Sequence, residues 1–196
     1  MDIEKIVERL AGPDFEGYAD WPYCDSRGLV TVGIGNMLPS PEACAGLPFH
    51  HLGSGEDATD EEKSAGWTTV LNHFTKGASA NAYRPLTTLR LTRDVVYSLA
   101  TRRIQEDFIP ALRKRFPDFD NYPDQVQDAL VDMDYNLGDG KLGSAFDGPG
   151  CVFGPAVRRQ DWATCAEQCH RSTCRDSRNA WTAAMFRAAI AAESPA

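Results

Sequence analysis

The sequence predicts a mostly helical α+β protein, built as a single domain over residues 1–196 with two lobes on one core. Apolar residues recur at helical spacing through much of the chain, most clearly between Val126 and Leu137. The segment Tyr23–Gly35 is different, because it is rich in turn residues and its part Leu29–Ile34 reads as a strand. One short β region among many helices indicates the α+β class.

Start signals place the helices along the chain. Asp2–Leu10 carries its apolar residues on one face. Thr59 begins a helix that runs to about Phe74, with acidic residues in the first turn, where the helix dipole favours them. Thr92 caps the next helix, whose pattern Pro110 should kink or break. The remaining helices are predicted from Pro123 to about Leu137, over Gly154–Arg159, over Trp162–Arg171 and over Arg178–Ala192.

Two segments, Met37–Gly55 and Lys76–Pro85, are predicted to be loops. The first is rich in proline and glycine, and the second is polar. The adjacent His50 and His51 suggest a metal site at first sight. Neither has a partner four residues away or acids at ligand spacing, so we expect a surface loop there.

Composition excludes several classes of protein. The net charge of −8 argues against a nucleic-acid-binding protein, which would present a basic face. No apolar run is long enough to span a bilayer, so no membrane partner is expected. The N-terminal residues 1–10 form an amphipathic charged segment without the basic and apolar regions of a signal peptide. Action outside the cytoplasm would need another export route or a larger secreted protein.

Six cysteines are many for a cytosolic protein of this length. An even number is compatible with disulfides and favours an oxidising compartment such as a periplasm. We expect a bridge between Cys24 and Cys44 and others among the late cysteines, but none between Cys165 and Cys169, one helical turn apart. The alternative is zinc bound by the segment Cys165–Cys174, whose C-x3-C-H-x3-C spacing is not a standard zinc motif. We therefore expect neither a metal nor another cofactor.

The chemistry-bearing residues lie in one stretch, Phe15–Asn36. Glu16 and Asp25 are carboxylates nine residues apart, and Thr31 follows six residues later. Two carboxyl groups that face each other across a cleft are the minimal apparatus for cleaving a glycosidic bond. A hydroxyl such as that of Thr31 could hold a water, and the glycines at 33 and 35 would let backbone approach a ligand. The alternative for two carboxylates at this spacing is a pair of solvated surface residues.

The whole string in this stretch resembles the phage-type lysozymes, glycoside hydrolase family 24. The family pattern of E-G, Y-x-D and G-x-x-T-I-G-x-G-H is present as Glu16-Gly17, Tyr23-Cys24-Asp25 and the segment Gly28–Asn36. The separations among the three reactive side chains are those of the family. Asn36 stands where the family has histidine, and we expect this departure to affect stability and not chemistry.

Three later segments carry the same resemblance. ALVDMDYNLG resembles the central helix of the family and places Tyr135 where the family has a cleft aromatic. RRQDWATCAEQCHRS resembles the segment that holds a buried tryptophan, here Trp162. RNAWTAAMF resembles the helix with two arginines and a phenylalanine, here Arg178 and Phe186, with Trp181 in place of the second arginine. The region from Met37 to Leu91 fits the family poorly, and substrate preference could differ there.

The resemblance implies a lysozyme-like fold with a cleft between a small β lobe, about residues 16–58, and a helical lobe, about 59–196 with the N-terminal helix. It implies a muramidase that hydrolyses the β-1,4 bond between N-acetylmuramic acid and N-acetylglucosamine in bacterial peptidoglycan. Glu16 would be the general acid, Asp25 would stabilise positive charge on the sugar and help to activate water, and Thr31 would position that water. The family reaction inverts the anomeric configuration.

Further roles are implied by the same resemblance. Substrate contacts are expected from Met37, Tyr135 and Gln168. Arg178 is expected to reach the carboxylate of Glu16, the alternative being a solvated arginine or one paired with the nearby Asp176. The expected partners are peptidoglycan and an immunity or inhibitor protein, and the protein is expected to be a monomer that acts in the periplasm or cell wall as an endolysin or antibacterial effector. The rival hypothesis is a peptidoglycan-binding module that kept the fold and lost the chemistry.

Overall fold

The computed structural model describes residues 1–138, 141–172 and 174–193. It is 57% helical with 9% strand, which confirms the prediction of a mostly helical α+β fold. The strands are β1 (Ala19–Cys24), β2 (Val30–Gly33), β3 (Asn36–Met37), β4 (His50–His51) and β5 (Leu89–Arg90). The helices are α1 (Ile3–Leu10), α2 (Pro41–Ala45), α3 (Asp60–Asn72), α4 (Ala80–Tyr83), α5 (Arg93–Arg103), α6 (Ile109–Arg115), α7 (Asp124–Leu137), α8 (Lys141–Phe146), α9 (Phe153–Arg158), α10 (Trp162–Gln168) and α11 (Asp176–Glu193).

The chain forms two compact units. One consists of Met1–Phe15 together with Thr101–Ala196, and the other of Glu16–Ala100. The sequence prediction drew the boundary of the small lobe at about residue 58. In the structure, the unit that begins at Glu16 continues to Ala100, because α3 packs on β1 and β2 and because β5 pairs with β4.

The unit Glu16–Ala100 is built on an antiparallel sheet in the order β1-β2-β3. A β-bulge interrupts the pairing of β1 with β2 between Ala19 and Tyr23. One face of the sheet is covered, since Cys24, Val30 and Val32 are almost fully buried. The close approach of α5 depends on Gly33, where a Cβ atom would lie 3.1 Å from Val96 Cγ1. This glycine therefore serves packing inside the unit, and the approach of a ligand stays a prediction.

Two segments that were predicted as loops contain regular structure. Within residues 37–55, Ser40 caps α2 by accepting a hydrogen bond from the Ala43 N–H, and Pro41 occupies the first turn. Serine followed by proline is a helix-start signal, which the high proline and glycine content of the segment obscured. Residues 76–85 contain α4 and the beginning of a 3₁₀ turn at Arg84–Leu86.

The helix signals elsewhere were more informative. Thr59 forms a complete capping box with Glu62, because each side chain bonds the backbone N–H of the other residue. Pro110 interrupts the long pattern as predicted. A π-helical segment, Ile104–Phe108, precedes it, and α6 then begins with the proline in its first turn. Proline lacks an N–H and its ring would clash with the carbonyl four residues earlier in an uninterrupted helix, and the changed register avoids both problems.

The larger unit is organised around α7, on which α11 packs most extensively. Aromatic rings fill the core beside these helices, with Trp162 stacked on Phe186 at 6.5 Å and Phe153 edge-on to Phe186 at 5.7 Å. α7 ends at Gly138, whose positive φ of 80° is accessible to glycine at little cost. The burial of Trp162 agrees with the role that the sequence assigned to it.

Candidate functional site

A tight hairpin between β1 and β2 fixes Asp25. Its Oδ1 accepts hydrogen bonds from the backbone N–H groups of Arg27 and Leu29, each at 2.9 Å. Its Oδ2 receives the Arg27 Nε–H at 3.3 Å. The turn closes at Gly28, whose φ of +81° suits a residue without a Cβ. N–H groups on both oxygens complement an ionised carboxylate, which can only accept hydrogen bonds.

Four side chains project from one face of the sheet. Tyr23 on β1 lies directly opposite Thr31 on β2, which lies directly opposite Met37 on β3. Residues directly opposite each other in an antiparallel sheet share a face, and so do residues two apart along a strand. Asp25 follows Tyr23 by two residues and still bonds Leu29 across the hairpin. The structure therefore brings Asp25, Thr31 and Met37 together on one face, with Tyr23 among them.

Thr31 is only 4% exposed, and its hydroxyl donates a hydrogen bond to the Leu29 carbonyl at 3.0 Å. A hydroxyl has one donor and two acceptor positions. With its proton directed at Leu29, the Oγ1 atom of Thr31 has acceptor capacity for a water molecule.

Glu16 occupies a turn six residues beyond the end of α1, and it is half-buried. Its neighbour Gly17 has a φ of +80°, so the chain turns sharply into β1. Burial raises the pKa of Tyr23, and the negative charges of Glu16 and Asp25 raise it further. The charges of both carboxylates therefore act on the Tyr23 phenol.

Tyr23 was quoted in the sequence pattern without a role of its own. Its position two residues before Asp25 was a usable signal, because alternation along a strand places such residues on the same face. The pairing with Thr31 was not predictable without the register of the hairpin.

The three expected substrate-contacting residues have different exposures. Met37 is 47% exposed on β3. Gln168 is exposed at the end of α10. Tyr135 is 5% exposed and packs on Phe108, at a centroid distance of 5.0 Å, beneath the guanidinium of Arg103. Met37 belongs to one compact unit and the other two residues to the other, so the cleft that would unite them stays a prediction.

Arg178 is 2% exposed, so it is not the solvated arginine of the alternative. Its Nε and Nη2 atoms lie 2.9 Å and 2.7 Å from Oδ1 of Asp132 on α7. The expected contact with Glu16 would join the two units and stays a prediction.

Arg171 is a second buried arginine on the same carboxylate, and the sequence did not indicate it. Its Nη2 donates to Asp132 Oδ2 at 2.9 Å and to the Thr182 hydroxyl at 2.7 Å. The Arg171 backbone is held by reciprocal hydrogen bonds with the side chain of Asn179. Trp181, which stands where the resembling family has its second arginine, packs edge-on against Phe15. The second guanidinium at Asp132 therefore comes from a residue outside α11.

The cysteines form no disulfide among the described residues, and most of them are buried. Burial raises the pKa of the Cys44 thiol to about 11 and that of Cys165 to about 12, which keeps both in the unreactive thiol form. Oxidation of the native protein in an oxidising compartment stays a prediction. Across residues 1–138, 141–172 and 174–193, the structure has no group of three or more histidine, cysteine or acidic side chains suited to a metal ion.

Comparison with known proteins does not assign this site. Neither the family models nor the curated proteins contain a match to the chain. Within the described part of the chain, the helices are too short or too polar to cross a bilayer.

Proposed function

We propose that this protein is a peptidoglycan hydrolase that cleaves the β-1,4 bond between N-acetylmuramic acid and N-acetylglucosamine. The observation that supports it most is the common sheet face of Asp25, Thr31 and Met37, beside a tyrosine on which the charges of both Glu16 and Asp25 act. These are the residue types that a glycosidase needs, in the part of the chain that resembles the phage-type lysozymes.

In the proposed reaction, Glu16 donates its proton to the leaving oxygen as the bond to the anomeric carbon breaks. Asp25, held by the N–H groups of its hairpin, stabilises positive charge on the sugar and helps to take a proton from the attacking water. Thr31 accepts a hydrogen bond from this water, since its own proton is directed at Leu29. Inversion of configuration would require the two carboxyl groups to stand about 6.5–9.5 Å apart, so that the water fits between substrate and base.

A peptidoglycan-binding module without catalysis is the second candidate. The observation that favours it is the structural role of Asp25, whose carboxylate closes the hairpin through three hydrogen bonds. An aspartate that the fold requires would be kept even if catalysis were lost. Under either proposal the site of action is the periplasm or cell wall, and an immunity or inhibitor protein is the expected partner of an effector.

The test is turnover of purified peptidoglycan by the wild type and by Glu16→Gln, with binding to the same material measured in parallel. An amide cannot supply the proton, so we expect Glu16→Gln to bind peptidoglycan and to release no muropeptides. Glu56→Gln, an exposed loop position, is the matched control and should behave like the wild type. Wild-type release by Glu16→Gln would remove the acid assignment, and binding without release by the wild type would favour the module.

A further inference from the structure

Three side chains form a continuous hydrogen-bonded line in the unit Glu16–Ala100. The Nδ1 atom of His51 lies 2.8 Å from the Thr88 hydroxyl, and its Nε2 atom lies 3.2 Å from Oε2 of Glu62. All three border an open cavity of about 350 Å³. The rest of its lining consists of Thr87 and the apolar side chains of Ala65, Pro85, Leu86 and Leu89. The histidine that the sequence assigned to a surface loop thus lies between a carboxylate and a hydroxyl.

The protonation pattern follows from the contacts of Glu62. The backbone N–H of Thr59, followed by the His51 ring and the Thr59 hydroxyl, lowers the pKa of the Glu62 carboxyl group. In the tautomer whose Nε2–H faces the Glu62 carboxylate, the Nδ1 atom of His51 carries a lone pair. Thr88 donates its hydroxyl proton to that lone pair. A hydroxyl bonded to a base, which a carboxylate orients in turn, is the arrangement of an activated nucleophile.

Backbone contacts fix His51 and Thr88 relative to each other. β4 pairs with β5 so that His51 stands opposite Leu89. The N–H of Leu52 donates to the Thr88 carbonyl at 2.7 Å, and the N–H of His51 donates to the Glu56 carbonyl at 2.8 Å. The imidazole and the hydroxyl are therefore attached to strands that are themselves hydrogen-bonded together.

Arg90, which is 4% exposed, supports the segment that forms one wall of the cavity. Its guanidinium donates to the carbonyl oxygens of Thr87 at 3.0 Å, Leu89 at 2.7 Å and Arg84 at 3.3 Å. Gly66 brings this wall against α3, because a Cβ atom there would stand 2.5 Å from Leu89 Cδ1. The segment before β5 is thereby held beside the first turns of α3, where Glu62 lies.

We propose that Thr88, His51 and Glu62 form an active site that hydrolyses small carboxylic esters. Thr88 Oγ1 attacks the carbonyl carbon while its proton passes to His51 Nδ1. The alcohol leaves with that proton, and the acyl group remains on Thr88. A water then attacks the acyl-threonine, with His51 again as base, and releases the acid and the free hydroxyl. The proposal is independent of the glycosidase proposal, because it uses none of its residues.

The cavity indicates the class of substrate. A volume of about 350 Å³ is near the small end of ligand pockets, which suits a short acyl group. The apolar side chains of Pro85, Leu86 and Leu89 can contact the alkyl part of such a group. An alkoxide or phenolate is a better leaving group than an amine, and the site is open to solvent, so an ester fits better than an amide.

The experiment uses p-nitrophenyl acetate with the full-length protein, and it measures p-nitrophenolate release together with the site of acetylation by peptide mass spectrometry. We expect His51→Ala and Thr88→Val to lower the rate roughly 100-fold, the scale of a lost general base or its nucleophile. Thr88→Ser should retain activity, since it keeps the hydroxyl. Because exposed imidazoles cleave this ester without any site, His50→Ala is the matched control and should cleave it at the wild-type rate.

The expected covalent product is one acetyl group on Thr88, which accumulates before it is hydrolysed. Thr88 is exposed, so the valine variant should fold, and its circular dichroism and thermal unfolding check this directly. Cleavage by Thr88→Val at the wild-type rate would overturn the proposal. So would acetylation of cysteine or lysine side chains with none on Thr88.

Discussion

Arg178 and Asp132 form a buried ion pair between α11 and α7, with the Nη2 and Oδ1 atoms 2.7 Å apart and each residue 2% exposed. Arg171 bonds the other oxygen of the same carboxylate. These three groups together carry one net positive charge. Removing the carboxylate would leave two guanidiniums facing each other in a low-dielectric interior, which is far more costly than losing a solvated pair.

Asp132→Ala should therefore lower the free energy of unfolding by about 3–5 kcal/mol, the range for breaking a buried ion pair from one side. Asp120→Ala is the matched control in the same unit. Its partner Arg113 is exposed, and surface pairs contribute about 0–1 kcal/mol. Urea denaturation of both variants measures the difference. Equal losses in the two variants would mean that burial adds nothing to the Asp132 pair.

Arg178→Ala tests the predicted link with Glu16. It should lower both stability and peptidoglycan turnover, and more than Arg175→Ala does, because Arg175 is exposed and pairs with the surface residue Asp14. Arg171 would still neutralise Asp132 in the variant. The lost contacts with Asp132 therefore account for only part of the expected loss of stability.

A double-mutant cycle isolates the contribution of an interaction between Arg178 and Glu16. If the Arg178 guanidinium interacts with the Glu16 carboxylate, the stability changes of Glu16→Gln and Arg178→Ala should be coupled by about 0.5–3 kcal/mol. Independent sites would instead add within about 0.5 kcal/mol, and that result would refute the link.

The raised pKa of Tyr23 predicts a loss of stability in alkaline solution. Burial, with the charges of Glu16 and Asp25 added, keeps the phenol neutral in the folded protein above the pH at which it ionises in the unfolded chain. The contribution is fully present below about pH 10 and is lost as the pH rises towards the folded-state pKa. Tyr23→Phe cannot ionise, so its stability should fall less than that of the wild type above about pH 10.

Urea denaturation of both proteins on either side of about pH 10 measures this difference. Tyr18 and Tyr122 also have raised pKa values, but they are present in both proteins and cancel in the comparison. Identical alkaline losses would show that the pKa of Tyr23 is not raised in the folded protein.

Local signals made much of the candidate site predictable. The hairpin around Asp25 follows from a short turn sequence, a glycine with positive φ and a strand, all within a few residues. The capping box at Thr59 is likewise a local pattern.

Contacts between distant residues could not be predicted in this way. Arg171 meets Asp132 across 39 positions. The sequence placed Arg171 at the end of a helix, but α10 ends at Gln168, so helical spacing does not indicate this contact. β4 was assigned to a loop because two residues form too short a strand to show alternation, and the pairing with β5 alone defines it. The two side-chain partners of His51 could therefore not be predicted from the sequence.

The hydroxyl of Thr31 allows the water-positioning role to be separated from folding. Thr31→Val keeps the shape and suits a strand. It removes the hydrogen bond to the Leu29 carbonyl, but that oxygen still accepts the N–H of Asp25 at 2.9 Å, so the stability loss should stay within about 1.5 kcal/mol. Turnover of peptidoglycan should fall roughly 100-fold, the cost of misplacing a reactant by about 1 Å.

Thr31→Ser provides the control, because it restores the hydroxyl at the expense of one methyl group. We expect it to recover most of the turnover lost in the valine variant while being slightly less stable, since Thr31 is 4% exposed and the methyl would leave a small void. If turnover depends on the hydroxyl group and stability depends on the methyl group, the water-positioning role of Thr31 is separate from its packing role. If turnover instead fell in step with stability in both variants, Thr31 would be a packing residue of the sheet, and the water would have to be held by another group.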